Sequence, residues 1–133
     1  MKTIRTPLIG RFGNQMFQYA AARAYCHLNG CRLSTPRWIG QQIFNGVEDP
    51  DTPWDEEMLG GYCQNAASLL YTRKQIRDWF QFKPDVQKML QPAVAPTDVV
   101  AHLRHGDYVA TGYPVLGRTV FEKAAASFGY DPG

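Results

Sequence analysis

A chain of 133 residues, 44% hydrophobic and 20% charged, is long enough for one ordinary core and too apolar to be disordered. Its net charge of +2, with no Lys/Arg run and no interleaving of basic and aromatic residues, argues against a nucleic-acid partner. No apolar stretch approaches the ~20 residues of a membrane span, and residues 1–10 lack the apolar centre of a signal peptide.

Residues 2–9 carry Ile4, Leu8 and Ile9 and read as a first strand weakened by Pro7. Gly10-Arg11-Phe12-Gly13-Asn14-Gln15 follows as a tight turn, with Asn14 expected to cap the next helix. Met16, Phe17, Ala20, Ala21, Ala24 and Tyr25 give that helix an apolar face, and Gly30 stops it. Residues 31–35 form a second strand closed by Pro36, which completes a βαβ unit. The Gly-rich turn is either an anion site at a helix N-terminus or a plain strand-to-helix turn. It is neither a Walker loop nor a dinucleotide fingerprint.

Residues 37–59 read as irregular, with a solvated acidic set of Glu48, Asp49, Asp51, Asp55, Glu56 and Glu57 that lacks EF-hand spacing. Trp38 and Trp54 read as packing anchors, with sugar stacking as the alternative. Cys26, Cys31 and Cys63 have no zinc-type partners and fit reduced thiols, so no metal site is expected. A turn at Gly61-Tyr62-Cys63-Gln64 precedes an amphipathic helix over 73–80 and a short helix over 85–90 started by Pro84. The Pro-bearing stretch 91–97 is the expected boundary between two units. A buried strand over 98–102 then runs into His102-Leu103-Arg104-His105-Gly106-Asp107-Tyr108. Residues 108–116 read as a loop and 118–128 as a last helix.

Arg104 falls just beyond a strand end, where open α/β sheets bind ligands, and its planar fork suits phosphate oxygens. On spacing alone, an Arg–Asp pair at a strand end is the commoner origin of such a run.

Taken together, these segments resemble a fucosyltransferase of the bacterial α-1,2 type. Residues 10–20 are similar to that family's Gly-x-Gly-Asn-Gln-Met-Phe-Gln-Tyr-Ala signature. Residues 102–108 are similar to its His-x-Arg-Arg-Gly-Asp-Tyr motif, and residues 61–64 with 77–82 resemble its Gly-Tyr-x-Gln segment and following helix. The resemblance implies an α/β, Rossmann-like fold of GT-B type, with a first half over 1–95 and the start of a donor-binding half over 96–133, truncated there because family members are longer. It implies inverting transfer of L-fucose from GDP-fucose to an acceptor glycan, the 2-OH of a galactose in an oligosaccharide or surface polysaccharide precursor. No metal or other cofactor is required on that model, and the enzyme is expected in the cytoplasm, including the inner face of the bacterial membrane. Arg104, Asn14 and His102 are the expected catalytic residues. Arg11, Gly13, Asn14, Arg104, His105, Gly106 and Asp107 are the expected donor-binding residues. His105 departs from the family, whose second motif residue is Arg. That change and the truncation leave a non-catalytic nucleotide- or glycan-binding fragment as the alternative.

Overall fold

The computed structural model describes residues 1–48, 50–58, 61–65, 72–90, 107–112, 114–127 and 129. The chain divides into two compact units, Met1–Leu90 and Gln91–Gly133.

The first unit contains β1 (Thr3–Arg5), α1 (Phe12–Asn29), β2 (Arg32–Ser34), α2 (Gly40–Ile43), β3 (Glu56–Glu57), α3 (Arg73–Trp79) and α4 (Pro84–Met89). Its sheet is parallel with strand order β2-β1-β3; Ile4 pairs with Leu33 on one side and Glu56 on the other. The unit is therefore α/β, and β1–α1–β2 is the expected βαβ crossover. β1 is shorter than the 2–9 expected. Pro7 has no N–H to give a ladder, and Leu8 turns to φ +53, so strand pairing cannot run on to Ile9.

Ile4, Leu8, Tyr19, Ala22, Cys26, Leu33 and Trp38 form the core, with Met16, Val47, Met58 and Phe80 packed against it. The helix α1 docks on a face rotated from the expected one. It buries Gln18, Tyr19, Ala20, Ala22, Ala24 and Cys26, and leaves Phe17 and Tyr25 exposed. Gln18 accounts for the rotation. Its Oε1 accepts from Ile9 N at 2.9 Å and its Nε2 donates to Ile9 O at 2.6 Å, so a polar side chain is satisfied inside by serving as a strand partner for the turn. At the other end Gly30, at φ +64, closes α1, and Cys31 N donates to Cys26 O at 3.0 Å. Burial, and next its hydrogen bond with Cys31, push the Cys26 thiol up to about 12. That thiol is a packing group, inert as a nucleophile near neutral pH.

The described acidic side chains are exposed, as expected, but they are paired and their stretch is not all loop. Asp55 Oδ2 accepts from Thr3 N at 2.8 Å, Glu56 pairs with Lys2, and Glu57 lies 3.9 Å from Arg5. Glu48 lies 3.5 Å from Arg23, and Asp51 3.6 Å from Arg37. The main chain joins the sheet edge, Asp55 N donating to Thr3 O at 3.0 Å and Met58 N to Arg5 O at 2.7 Å, and Glu56 and Glu57 become β3. The same stretch also holds α2. Trp38 is buried, as a packing anchor should be, while half-exposed Trp54 lies 5.7 Å from the Arg5 guanidinium. Behind α1, Phe80 packs edge-on to Phe44 at 5.0 Å and to Tyr19 at 5.8 Å, which fixes the end of α3.

In the second unit, the loop expected over 108–116 is helical in its first part, while residues 114–116 have no regular structure, as expected. Asp107–Thr111 form a short helix, α5, ended by Gly112 at φ +74. Arg118–Ser127 form α6. The strand expected over 98–102 lies outside the described residues. Among those described, no helix is long and apolar enough to cross a membrane.

Candidate functional site

Strand order reverses at β1: the chain crosses to β2 on one side and reaches β3 on the other. Where order reverses, the loops that leave neighbouring strands part, and ligands of open α/β sheets bind beyond the carboxyl ends. The turn from β1 into α1 emerges at this place.

Residues 61–65, which follow β3, come back to the same turn. A Cβ placed on Gly10 would meet Tyr62 Cε1 at 2.8 Å and Asn14 Nδ2 at 3.0 Å. Gln64 Nε2 donates to Asn14 Oδ1 at 2.9 Å across fifty positions of sequence. Gln15 Nε2 donates to Gly10 O at 2.9 Å, and Gln18 Nε2 to Asn14 O at 3.0 Å. Leu8 (φ +53), Gly10 (φ +82) and Cys63 (φ +53) all adopt left-handed backbone here. For Leu8 and Cys63 this conformation costs free energy, on the order of 1–3 kcal/mol each, and such costs concentrate at binding sites.

Asn14 is not the helix cap. Arg11 holds the N-cap position in extended conformation (φ −81, ψ 169), and its side chain makes no capping bond. The left-handed turn at Gly10 starts the helix at Phe12, so Asn14 enters its first turn and its carboxamide is released to Gln64. That turn contains no acidic side chain, so the positive end of α1 is not neutralised by its own sequence. At Gly13 a Cβ would meet nothing within 4 Å. Arg11 and Gly13 are exposed, and Asn14 is half-buried.

The expected residues Gly13, Asn14 and Arg11 therefore sit together. His102, Arg104, His105 and Gly106 lie outside the described residues, and Asp107 is the first residue of α5. Tyr62 and Gln64 join the site although the sequence pointed to them only through a resemblance; nothing local marks an exposed Gln as the partner of an Asn fifty positions away. Among the described residues, no three His, Cys, Asp or Glu side chains converge as a metal cluster would require. No family model, curated protein or solved structure matches the chain.

Proposed function

We propose that this chain provides donor recognition in a GDP-fucose-dependent fucosyltransferase of GT-B type. In this reading it transfers L-fucose with inversion to a hydroxyl of an acceptor glycan, the 2-OH of a galactose. One observation carries the reading. Two segments that resemble that family, Gly10–Gln15 and Gly61–Gln64, meet at the strand-order reversal of an α/β unit through Gln64–Asn14 and Tyr62–Gly10. The chemistry is consistent with it. Departing GDP gathers negative charge on its diphosphate, and fixed donors aimed at that charge lower the barrier. Asn14 and the first-turn amides of α1 are donors of this kind, and the family resemblance adds the Arg104 guanidinium. Asp107 is then an organiser of the Arg104 loop, and His102 the group nearest to a base in that motif. His105, where the family has Arg, favours a second reading in which the nucleotide or glycan is bound without turnover.

The test is a thermal-shift titration of the whole chain with GDP and GDP-fucose, beside Arg104→Ala and Asn14→Ala. A ligand confined to the folded state adds ~2.7 kcal/mol at a hundredfold excess over Kd. The expected result is a nucleotide-dependent rise that both variants diminish. A cooperative melt indifferent to both nucleotides defeats the proposal. Binding without fucose release to a galactoside or to water selects the second reading.

A further inference from the structure

We propose that the cavity beyond the carboxyl end of β2 binds a small carboxylate-bearing molecule, whose oxygens accept from the side-chain N–H groups of Trp38 and Gln41. The cavity has a volume of about 510 Å³ and is lined by Arg37, Trp38, Ile39, Gln41, Gln42 and Pro50. It follows the strand that ends at Ser34, where open α/β sheets take ligands, and none of its residues belongs to the turn into α1. Trp38 is only 7% exposed, and its Nε1 has no hydrogen-bond partner among the described residues. Gln41 Nε2, also shielded from water, has none either. An indole N–H can only donate. The Gln41 amide is oriented to donate as well, because its Oε1 accepts from the main-chain N–H of Trp38 at 2.8 Å. A main-chain N–H cannot turn over, so reversing the amide would set two N–H groups against each other. Two donors on adjoining side chains thus lack acceptors, a rare and costly state for buried groups.

An oxygen from an occupant of the cavity satisfies both. Admitting it takes a small shift of Gln41, which is half-buried. Charge selects the kind of oxygen. Among the described residues no Asp or Glu lines the cavity. Arg37 lies on its wall with Asp51 Oδ2 3.6 Å from its Nε, and Lys83 Nζ donates to Gln41 O at 2.6 Å. Two cations against one carboxylate leave a single net positive charge. That suits a monoanion better than a doubly charged phosphate. The volume exceeds what a carboxylate alone would fill, and Ile39 and Pro50 supply apolar wall for a carbon skeleton.

The test follows the indole N–H resonances of Trp38, Trp54 and Trp79 in the nitrogen-labelled whole chain. Trp54→Phe and Trp79→Phe assign two of them and leave Trp38 by elimination. The probes are D-glucuronate, D-glucose, which differs from it only at the sixth carbon, and inorganic phosphate, all at constant ionic strength. Glucuronate is expected to move the Trp38 resonance saturably and to leave the other two in place. Gln41→Met removes one donor without adding charge and is expected to weaken that binding at least about tenfold, the scale of a hydrogen bond to a charged group. Arg37→Gln, at a side chain 87% exposed and so dispensable to the fold, is expected to weaken it about threefold. A Trp38 resonance unmoved by all three probes overturns the site. Glucose as effective as glucuronate, or phosphate more so, overturns the carboxylate. A folded Gln41→Met chain of undiminished affinity, or full affinity in Arg37→Gln, overturns the recognition described.

Discussion

At the scale of single residues, the turn into α1 depends on two glycines that look alike in the sequence and do different things. Gly10 is at φ +82 with Tyr62 and Asn14 closing over it, whereas Gly13 lies in the first turn of a helix with open space where a side chain would be. Gly10→Ala would force an L-residue into left-handed backbone, at ~1–2 kcal/mol, and drive a methyl group toward Tyr62 Cε1. We expect a lower urea midpoint at unchanged slope. Gly13→Ala removes backbone freedom from the unfolded chain and meets no atom, so a gain of up to ~0.5 kcal/mol is expected. A Gly13→Ala chain that is more stable yet binds nucleotide more weakly would show that Gly13 is kept for close approach of the ligand. Glycine spacing announces a turn; which glycine needs positive φ depends on where β1 stops, and Leu8 decides that through its own left-handed turn.

At the scale of elements, α1 packs on the sheet through its buried face, and Arg23 ties it to the segments beyond. Its Nη1 donates to Tyr19 Oη at 2.7 Å and to Gly46 O, Nη2 lies 3.5 Å from Glu48, and the guanidinium stacks 4.5 Å from the centre of the Trp79 ring. One planar cation thus joins α1, the chain after α2, and α3. Arg23→Ala is expected to cost about 2 kcal/mol in denaturant unfolding, the range of charge-assisted hydrogen bonds. Arg23→Lys should recover less than half, because an ammonium cannot both fork and stack; full recovery would show that charge alone matters. Elements were legible in proportion to how far local pattern determines them. The eighteen residues of α1 carry a helical period and a Gly stop, and both are found. β3 was illegible because Glu56 and Glu57 are poor strand formers, and what pairs them is the distant main chain of β1, with Asp55 N donating to Thr3 O and Met58 N to Arg5 O. The face of α1 was misjudged for a related reason. Apolarity selects Phe17 and Tyr25, but Gln18 goes inside because the main chain of Ile9 satisfies both ends of its amide.

At the scale of the whole molecule, the core residues of the described chain all belong to the first unit. No described side chain of α5 or α6 is buried, although Val120, Phe121, Ala124 and Ala125 give α6 apolar positions. Helices of five and ten residues without a buried face gain little from propensity alone, since isolated helices below ~12–15 residues are marginal in water. Amide hydrogen exchange should therefore be uneven. Ile4, Leu33 and the stretch of α1 from Tyr19 to Cys26 are expected to exchange at rates set by global unfolding, and α6 amides at rates close to those of an open chain. In line with this, Leu33→Ala should cost ~2–4 kcal/mol as a buried truncation, and Val120→Ala should stay within ~0.5 kcal/mol. Protection of α6 equal to that of α1 would sink this division of stability. The same measurement with GDP-fucose present bears on the proposed function. Nucleotide held at the turn into α1, as proposed, should slow exchange at the start of that helix; exchange there that nucleotide leaves unchanged would defeat the reading.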